Sequence, residues 1–282
     1  MSLKLMYITN DPQVAVTAEN AGTDRIFVDL ETLGKADRQR GRDTVLSHHN
    51  IDDVARLAGC LQRADLLVRV NPVHKGQSNF ISSKEEIDRV IDAGADIVML
   101  PFFHTVSEVE AFLSMVDGRV RTSLLVETPE SDQSLDEILK LSGIDEIHVG
   151  LNDMSIGYRK DFMFELLTDG TVGRICRKCA DAGIPYGFGG IAMPGQGMLP
   201  AEYIIREHVR LGSSVVILSR SFCDTSKITD PEERERIFYD GIRRIRETEK
   251  EAANYSDKEF LGNYREMERR IQEIKGRRKD SV

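Results

Sequence analysis

One short pattern recurs along the chain: a small residue and a glycine, one or two polar residues, then an apolar run. It reads AGTDRIFVD (21–29), AGADIVMLP (93–101), SGIDEIHVG (142–150), AGIPYGFG (182–189) and LGSSVVILS (211–219). Glycine suits such a joint because helices commonly end in a left-handed turn that other residues enter only at a cost. The apolar runs are short, rich in Val, Ile and Leu, and do not strictly alternate. Runs of that kind mark strands buried on both faces of a parallel sheet. Repetition of helix, glycine joint and buried strand therefore predicts an α/β fold.

Filling the gaps yields eight strand–helix units, with strands near 3–8, 24–30, 66–71, 96–100, 122–127, 145–149, 185–188 and 214–217. The intervening stretches 51–63, 83–93, 105–116, 133–142 and 200–211 place apolar residues at three- and four-residue spacing, the period of one buried helix face. Eight units favour a closed (β/α)8 TIM barrel over an open sheet. No GxGxxG follows the first strand, which argues against a dinucleotide fold. The barrel is expected over 1–250, its last helix carrying the stripe Ile237, Phe238, Ile242 and Ile245. Residues 251–282 form a C-terminal helical extension in which Phe260, Tyr264, Met267, Ile271 and Ile274 step by four, three, four and three. That seam is too short to stand alone, so docking on the barrel or on a neighbouring subunit is expected.

A net charge of −9 argues against nucleic acid or an anionic membrane as partner, since both reward clustered Lys and Arg. The four cysteines are too sparse for a disulfide scaffold, and the C-x-x-C at Cys176 and Cys179 lies in a helical stretch without a second pair. With no apolar run of membrane-spanning length and no signal-like N-terminus, a reduced, cytoplasmic setting is expected.

The chemistry is legible where polar residues interrupt apolar strands. Barrel enzymes build their sites at the C-terminal ends of the strands. Strand two ends in Asp29 and Glu31, strand three carries Arg69 and Asn71, strand five ends in Glu127, and Asp153 lies just past strand six. Strands five and six are neighbours, about 4.8 Å apart, so Glu127 and Asp153 emerge side by side. Two such carboxylates share a proton, bind a cation or pair with barrel arginines; a hard divalent ion, Mg2+ or Mn2+, is the natural occupant. Arg69 pairs either with Asp29 or Glu31, or with an oxyanion of the substrate. The only strand lysine, Lys4, stands at the wrong end of the barrel for a Schiff base. The long connection Thr32–Asn50 leaves the active-site end of strand two and reads as a lid.

LLVETPES (124–131) followed by IHVGLNDMSIGY (147–158) resembles the paired signature of the HpcH/HpaI aldolase and citrate lyase β-subunit family. The likeness extends through ADIVMLPFF (95–103), LLVRVNP (66–72) and FVDLE (27–31), roughly residues 20–220. It implies a phosphoenolpyruvate/pyruvate-type barrel in which Glu127 and Asp153 hold Mg2+ or Mn2+. Backbone amides of Gly150, Leu151 and Asn152 would bind the carboxylate of a small 2-oxo acid. Arg69 would stabilise the enolate oxygen, and Asp29 and Glu31 would order Arg69 and the water beside the metal. The implied reaction is carbon–carbon cleavage or formation next to a carbonyl, by a homo-oligomer, trimer or hexamer.

The sequence departs from the family in one place. Aldolases of this group commonly show D-x-E-H at the end of strand two, where this chain reads D-L-E-T, Asp29 to Thr32. His48 and His49 in the lid, or His74 past strand three, are candidates for the missing base. The citrate-lyase-like branch has Lys and Arg downstream, echoed by Lys35 and Arg38. A second reading is therefore a lyase of citramalyl- or malyl-type acyl-CoA thioesters, with Lys35, Arg38, Arg40 and Arg42 on the CoA phosphates. A third is a silent barrel acting as a binding subunit. The loop GFGGIAMPGQG (187–197) could hold a phosphate or carboxylate, or merely turn tightly.

Overall fold

A computed structural model describes residues 2–35, 49–76 and 81–279. Eight parallel strands close into a barrel in sequence order: β1 (Lys4–Ile8), β2 (Arg25–Asp29), β3 (Asp65–Arg69), β4 (Ile97–Leu100), β5 (Arg121–Val126), β6 (Glu146–Val149), β7 (Tyr186–Ile191) and β8 (Val215–Leu218). The helices outside it are α1 (Pro12–Asn20), α2 (Ile51–Ala58), α3 (Ser83–Asp92), α4 (Val106–Val116), α5 (Pro129–Gln133), α6 (Leu135–Ile138), α7 (Leu151–Gly157), α8 (Glu165–Thr168), α9 (Thr171–Asp181), α10 (Ala201–Arg210), α11 (Pro231–Ala252) and α12 (Asp257–Lys279). Among the described residues no helix is long and apolar enough to cross a membrane.

Why these segments pack this way follows from alternation along each strand. In β2, Ile26 and Val28 join the large core between sheet and helices, whereas Phe27 joins Met6, Leu67, Ile97, Met99, Leu125 and Val215 inside the barrel. Below that apolar layer lies a charged plug. Arg25 donates to both oxygens of Glu146 at 2.7 and 2.9 Å, and Arg121 pairs with Asp65 at 2.6 Å. The interior is thus filled from its N-terminal end upward, and the open end is the one where Asp29, Arg69, Glu127 and Asp153 emerge.

One local difference from the sequence reading has a simple cause. The stretch 133–142 is broken into α5 and α6, because Thr128 starts a helix early: its hydroxyl accepts from Ser131 N–H, and Pro129 takes the first helical position. The extension docks on its own barrel, with α12 against α10 and α8. Met267 and Ile271 are fully buried there, and Asn263 donates to the Tyr203 carbonyl and the Glu207 carboxylate at 3.2 and 3.3 Å.

Candidate active site

The mouth is organised by one ion-pair network. Asp29 and Arg69 are opposite each other in the β2–β3 register. Arg69 approaches side-on, Nε to Oδ1 at 2.9 Å and Nη2 to Oδ2 at 2.8 Å. Lys35 donates to the same Oδ2 at 2.7 Å and reaches Glu31 Oε2 at 3.3 Å, while Arg69 Nε lies 3.4 Å from that Glu31 oxygen. Burial alone would raise the Asp29 carboxyl, but the charge and hydrogen bonds of Arg69, then of Lys35, outweigh it and hold the group far below the usual carboxylate range. Burial would likewise depress the Arg69 guanidinium; Asp29 and Glu31, with Glu127 beyond them, raise it instead. The guanidinium also stands over the Phe27 ring, 5.4 Å from its centroid.

Glu127 directly follows β5, and Asp153 lies past the adjacent strand β6, in α7. Phe102, just past β4, has φ +46°, a left-handed conformation unusual for a bulky residue. That turn aims its N–H at Glu127 Oε1, 3.0 Å away. Gly150 closes the other side: a Cβ there would lie 2.6 Å from Glu127 Oε2 and 2.7 Å from Glu127 Cβ. Asp153 is on the first turn of α7, where a carboxylate is favoured by the helix dipole, and accepts from Asn152 Nδ2 at 3.2 Å. Both acids are buried, and no group of three or more His, Cys, Asp or Glu suited to a metal occurs among the described residues. This donor set fits a hard divalent cation that takes two carboxylates and completes its shell with water and substrate oxygens, as Mg2+ does.

The α7 terminus differs in detail from the implied three-amide cradle. Gly150 N–H donates to the Val126 carbonyl at 3.0 Å, so its part in the site is the missing side chain. Leu151 and Asn152 open α7, where backbone amides have no helical acceptor.

The histidines divide sharply. His49 Nδ1 accepts from Asp29 N–H at 3.0 Å. Burial lowers its pKa, opposed by Asp29 and Asp53, with Arg220 and Lys35 adding to the fall. A neutral ring accepting at Nδ1 carries its proton on Nε2. This contact sets the His49 ring against the Asp29 backbone at the edge of the ion-pair network. The ring nitrogens of His74 lie 2.8 Å from the Pro72 and Ile81 carbonyls. His48, Arg38, Arg40 and Arg42 lie outside the described residues.

Asn71 turns away from Arg69; its Oδ1 accepts from Thr32 and Leu33 N–H, both at 2.9 Å, and its amide donates to Glu86 at 2.7 Å. It ties the residues that follow β2 to α3. The glycines of β7 serve packing: a Cβ on Gly187 would sit 2.0 Å from the Val215 carbonyl. Two further cations come from outside the strands. Lys35, read in the sequence as a possible phosphate contact, follows β2, and Arg220 belongs to the 3-10 turn Arg220–Phe222 after β8. Lys35, clamped by two carboxylates, lacks the uncompensated burial that makes a Schiff-base lysine reactive.

Comparison with known proteins agrees with this architecture. Residues 4–186 match the HpcH/HpaI aldolase/citrate lyase family. The chain belongs to that family, whose members are generally lyases. No curated protein matches the sequence. Among solved structures, an HpcH/HpaI aldolase from Desulfitobacterium hafniense aligns with TM-score 0.59 and 14% identity, over 77% of this chain and 86% of that one. A Burkholderia cenocepacia HpcH/HpaI aldolase/citrate lyase family protein gives 0.60 and 14%, over 87% and 95%. Citrate synthase SbnG gives 0.57 and 17%, over 78% and 87%. At these identities the structures speak to the fold, a (β/α)8 barrel.

Proposed function

We propose that the protein is a metal-dependent carbon–carbon lyase that cleaves or forms a 2-oxo acid through a pyruvate-type enolate. The observation that carries this reading is the pairing, across one barrel mouth, of a buried carboxylate pair with an arginine locked in place by two further acids. Mg2+ or Mn2+ held by Glu127 and Asp153 would supply Lewis acidity at the 2-oxo group.

The chain's own groups do the rest. The Leu151 and Asn152 amides orient the substrate carboxylate at the α7 terminus. Arg69 faces the oxygen on which negative charge develops, and Asp29 with Glu31 keeps the guanidinium aimed, so little reorganisation accompanies reaction. In the synthetic direction C3 of the enolate bonds to the carbonyl carbon of a partner, whose oxygen takes a proton from solvent water. In cleavage the hydroxyl gives that proton back to solvent, its O–H electron pair forms the carbonyl, and the carbon–carbon bond breaks with its electron pair returning to C3. Nε2–H of His49 polarises the partner's oxygen without changing its own protonation.

The thioester reading rested on Arg38, Arg40 and Arg42, outside the described residues, and on Lys35, which is occupied by Asp29 and Glu31. A silent binding subunit would have no use for so costly a charge cluster. The test is Mn2+ titration by calorimetry on the wild type and Glu127→Ala, alongside deuterium exchange at the pyruvate methyl group. Binding and exchange in the wild type, both lost in the variant, are expected. A wild type that binds neither Mg2+ nor Mn2+ overturns the proposal.

A further inference from the structure

The chain segments that carry Glu127 and Asp153 meet again farther along, away from the strand ends. Asp132 lies near the end of α5 and Tyr158 just past α7, and the Tyr158 hydroxyl donates to Asp132 Oδ2 at 2.6 Å. The Asp132 side chain is 1% exposed, and Arg174 of α9 meets it in a fork, Nη1 to Oδ1 at 2.7 Å and Nη2 to Oδ2 at 2.6 Å. Three donors on one buried carboxylate make a strong, directional joint. Burial and then Asp132 push the Tyr158 phenol up to about 12, so it stays a donor across the neutral range. None of these three residues has a part in the mechanism above.

The joint closes a frame. At one end Gly150 lies so near Glu127 that a Cβ would stand 2.6 Å from its Oε2; at the other Gly157 lies against Pro129, where a Cβ would stand 2.5 Å from the ring Cδ. The sides between these contacts are short and stiff. From Glu127 to Asp132 the chain is held by Thr128, whose hydroxyl donates to the Phe103 carbonyl at 2.8 Å and accepts from Ser131 N–H at 3.0 Å. From Asp153 to Tyr158 it is α7 itself, closed by Tyr158 N–H on the Met154 carbonyl at 2.9 Å. The glycine contacts keep the two sides from approaching, and the Tyr158–Asp132 bond keeps them from parting. A carboxylate pair carried on such a frame has a fixed span. Span decides between hard cations: Mg2+ demands near-ideal octahedral oxygens at about 2.0–2.1 Å, whereas Ca2+ accepts a looser shell at about 2.3–2.6 Å.

We propose that Tyr158 and Asp132, braced by Arg174, are positioning residues that fix the span between Glu127 and Asp153 and so make the site select a cation of Mg2+ size over Ca2+. The inference rests on the reading of Glu127 and Asp153 as metal ligands. It adds a reason for the cation chosen, located in groups that touch neither cation nor substrate.

The probe is Mn2+, whose free ion is counted by its EPR signal, displaced in turn by Mg2+ and by Ca2+. The quantity read is the Kd for Ca2+ divided by the Kd for Mg2+, expected to exceed unity by about tenfold in the wild type. Tyr158→Phe keeps the ring and removes the donor; Gly157→Ala pushes α7 off Pro129. Each should lower the ratio about tenfold by weakening Mg2+, the size of effect usual for a group that orients a metal ligand. Tyr186→Phe is the control: it removes a hydroxyl bond of equal length, 2.6 Å to the Leu211 carbonyl, outside the frame, and should leave the ratio unchanged. A ratio of two affinities does not move when a variant merely lowers the amount of folded protein. Should Gly157→Ala fail to fold, Tyr158→Phe carries the test alone. An unchanged ratio in Tyr158→Phe, an equal fall in Tyr186→Phe, or a wild type indifferent between Mg2+ and Ca2+ overturns the frame while Mn2+ binding leaves the metal reading standing. A wild type that does not bind Mn2+ overturns the metal reading and the frame together.

Discussion

Replacing Arg69 by methionine removes the main counter-charge of a carboxylate that is wholly out of water, since the Asp29 side chain is 0% exposed. Breaking a buried pair from one side costs about 3–5 kcal/mol, because the remaining charge is left uncompensated. Lys35 stays at 2.7 Å from Asp29 Oδ2, so the low end, about 3 kcal/mol, is expected. For a chain of 282 residues the entropy of unfolding is roughly 0.6 kcal/mol/K, and the loss corresponds to a Tm about 5 °C lower. Asp29→Asn alone leaves Arg69 with Glu31 at 3.4 Å and is the milder change. The double variant Asp29→Asn/Arg69→Met should recover more than 1 kcal/mol of the summed single losses. The assay is urea unfolding at pH 7 on all four proteins. Acid titration adds a sign: the Asp29 carboxyl is depressed in the fold, so its contribution is present above its unfolded value and is lost as pH falls through the folded one. A coupling below about 0.5 kcal/mol would refute the reasoning.

Gly150→Ala would press a methyl group to within 2.6 Å of Glu127 Oε2; calorimetry should show Mn2+ binding weakened at least about tenfold, with a stability loss of about 1–3 kcal/mol. His148 is fully buried, its Nε2 at 3.1 Å from the Gly189 carbonyl, and burial pushes its pKa down from 6.5 to about 4. The unfolded chain then binds the proton more readily, so stability should fall as pH drops from 6.5 toward 4. The size is roughly 3 kcal/mol, and pH-dependent unfolding of His148→Gln should show a flatter profile. Met267→Ala and Ile271→Ala each remove a buried side chain of α12 and should cost about 2–4 kcal/mol in urea unfolding. Variants indistinguishable from wild type would mean that α12 does not dock on the barrel in solution.

The sequence by itself determined the barrel and drew attention to the polar residues at and just past the strand ends. Glycine joints and buried apolar runs are local signals, and a polar residue ending such a run is conspicuous in one dimension. Asp29 and Arg69 end β2 and β3 and Glu127 directly follows β5, so alternation along parallel strands leaves these three little freedom; Glu31 and Asp153 lie just beyond their strands, Asp153 on the first turn of α7. Tertiary structure alone decided what the loops contribute. The sequence offered Lys35 as one of several cations for a phosphate, yet the chain path puts its ammonium between Asp29 and Glu31. Arg220 drew no notice in the sequence; it follows β8, which barrel closure sets beside β1. His49 and His74 read alike as loop histidines. Backbone geometry beyond the strand ends sets one against Asp29 N–H and the other between the Pro72 and Ile81 carbonyls. Gly150 was legible as part of the site, but its role was not: an amide committed to Val126 and a side chain that must be absent are facts about neighbours in space.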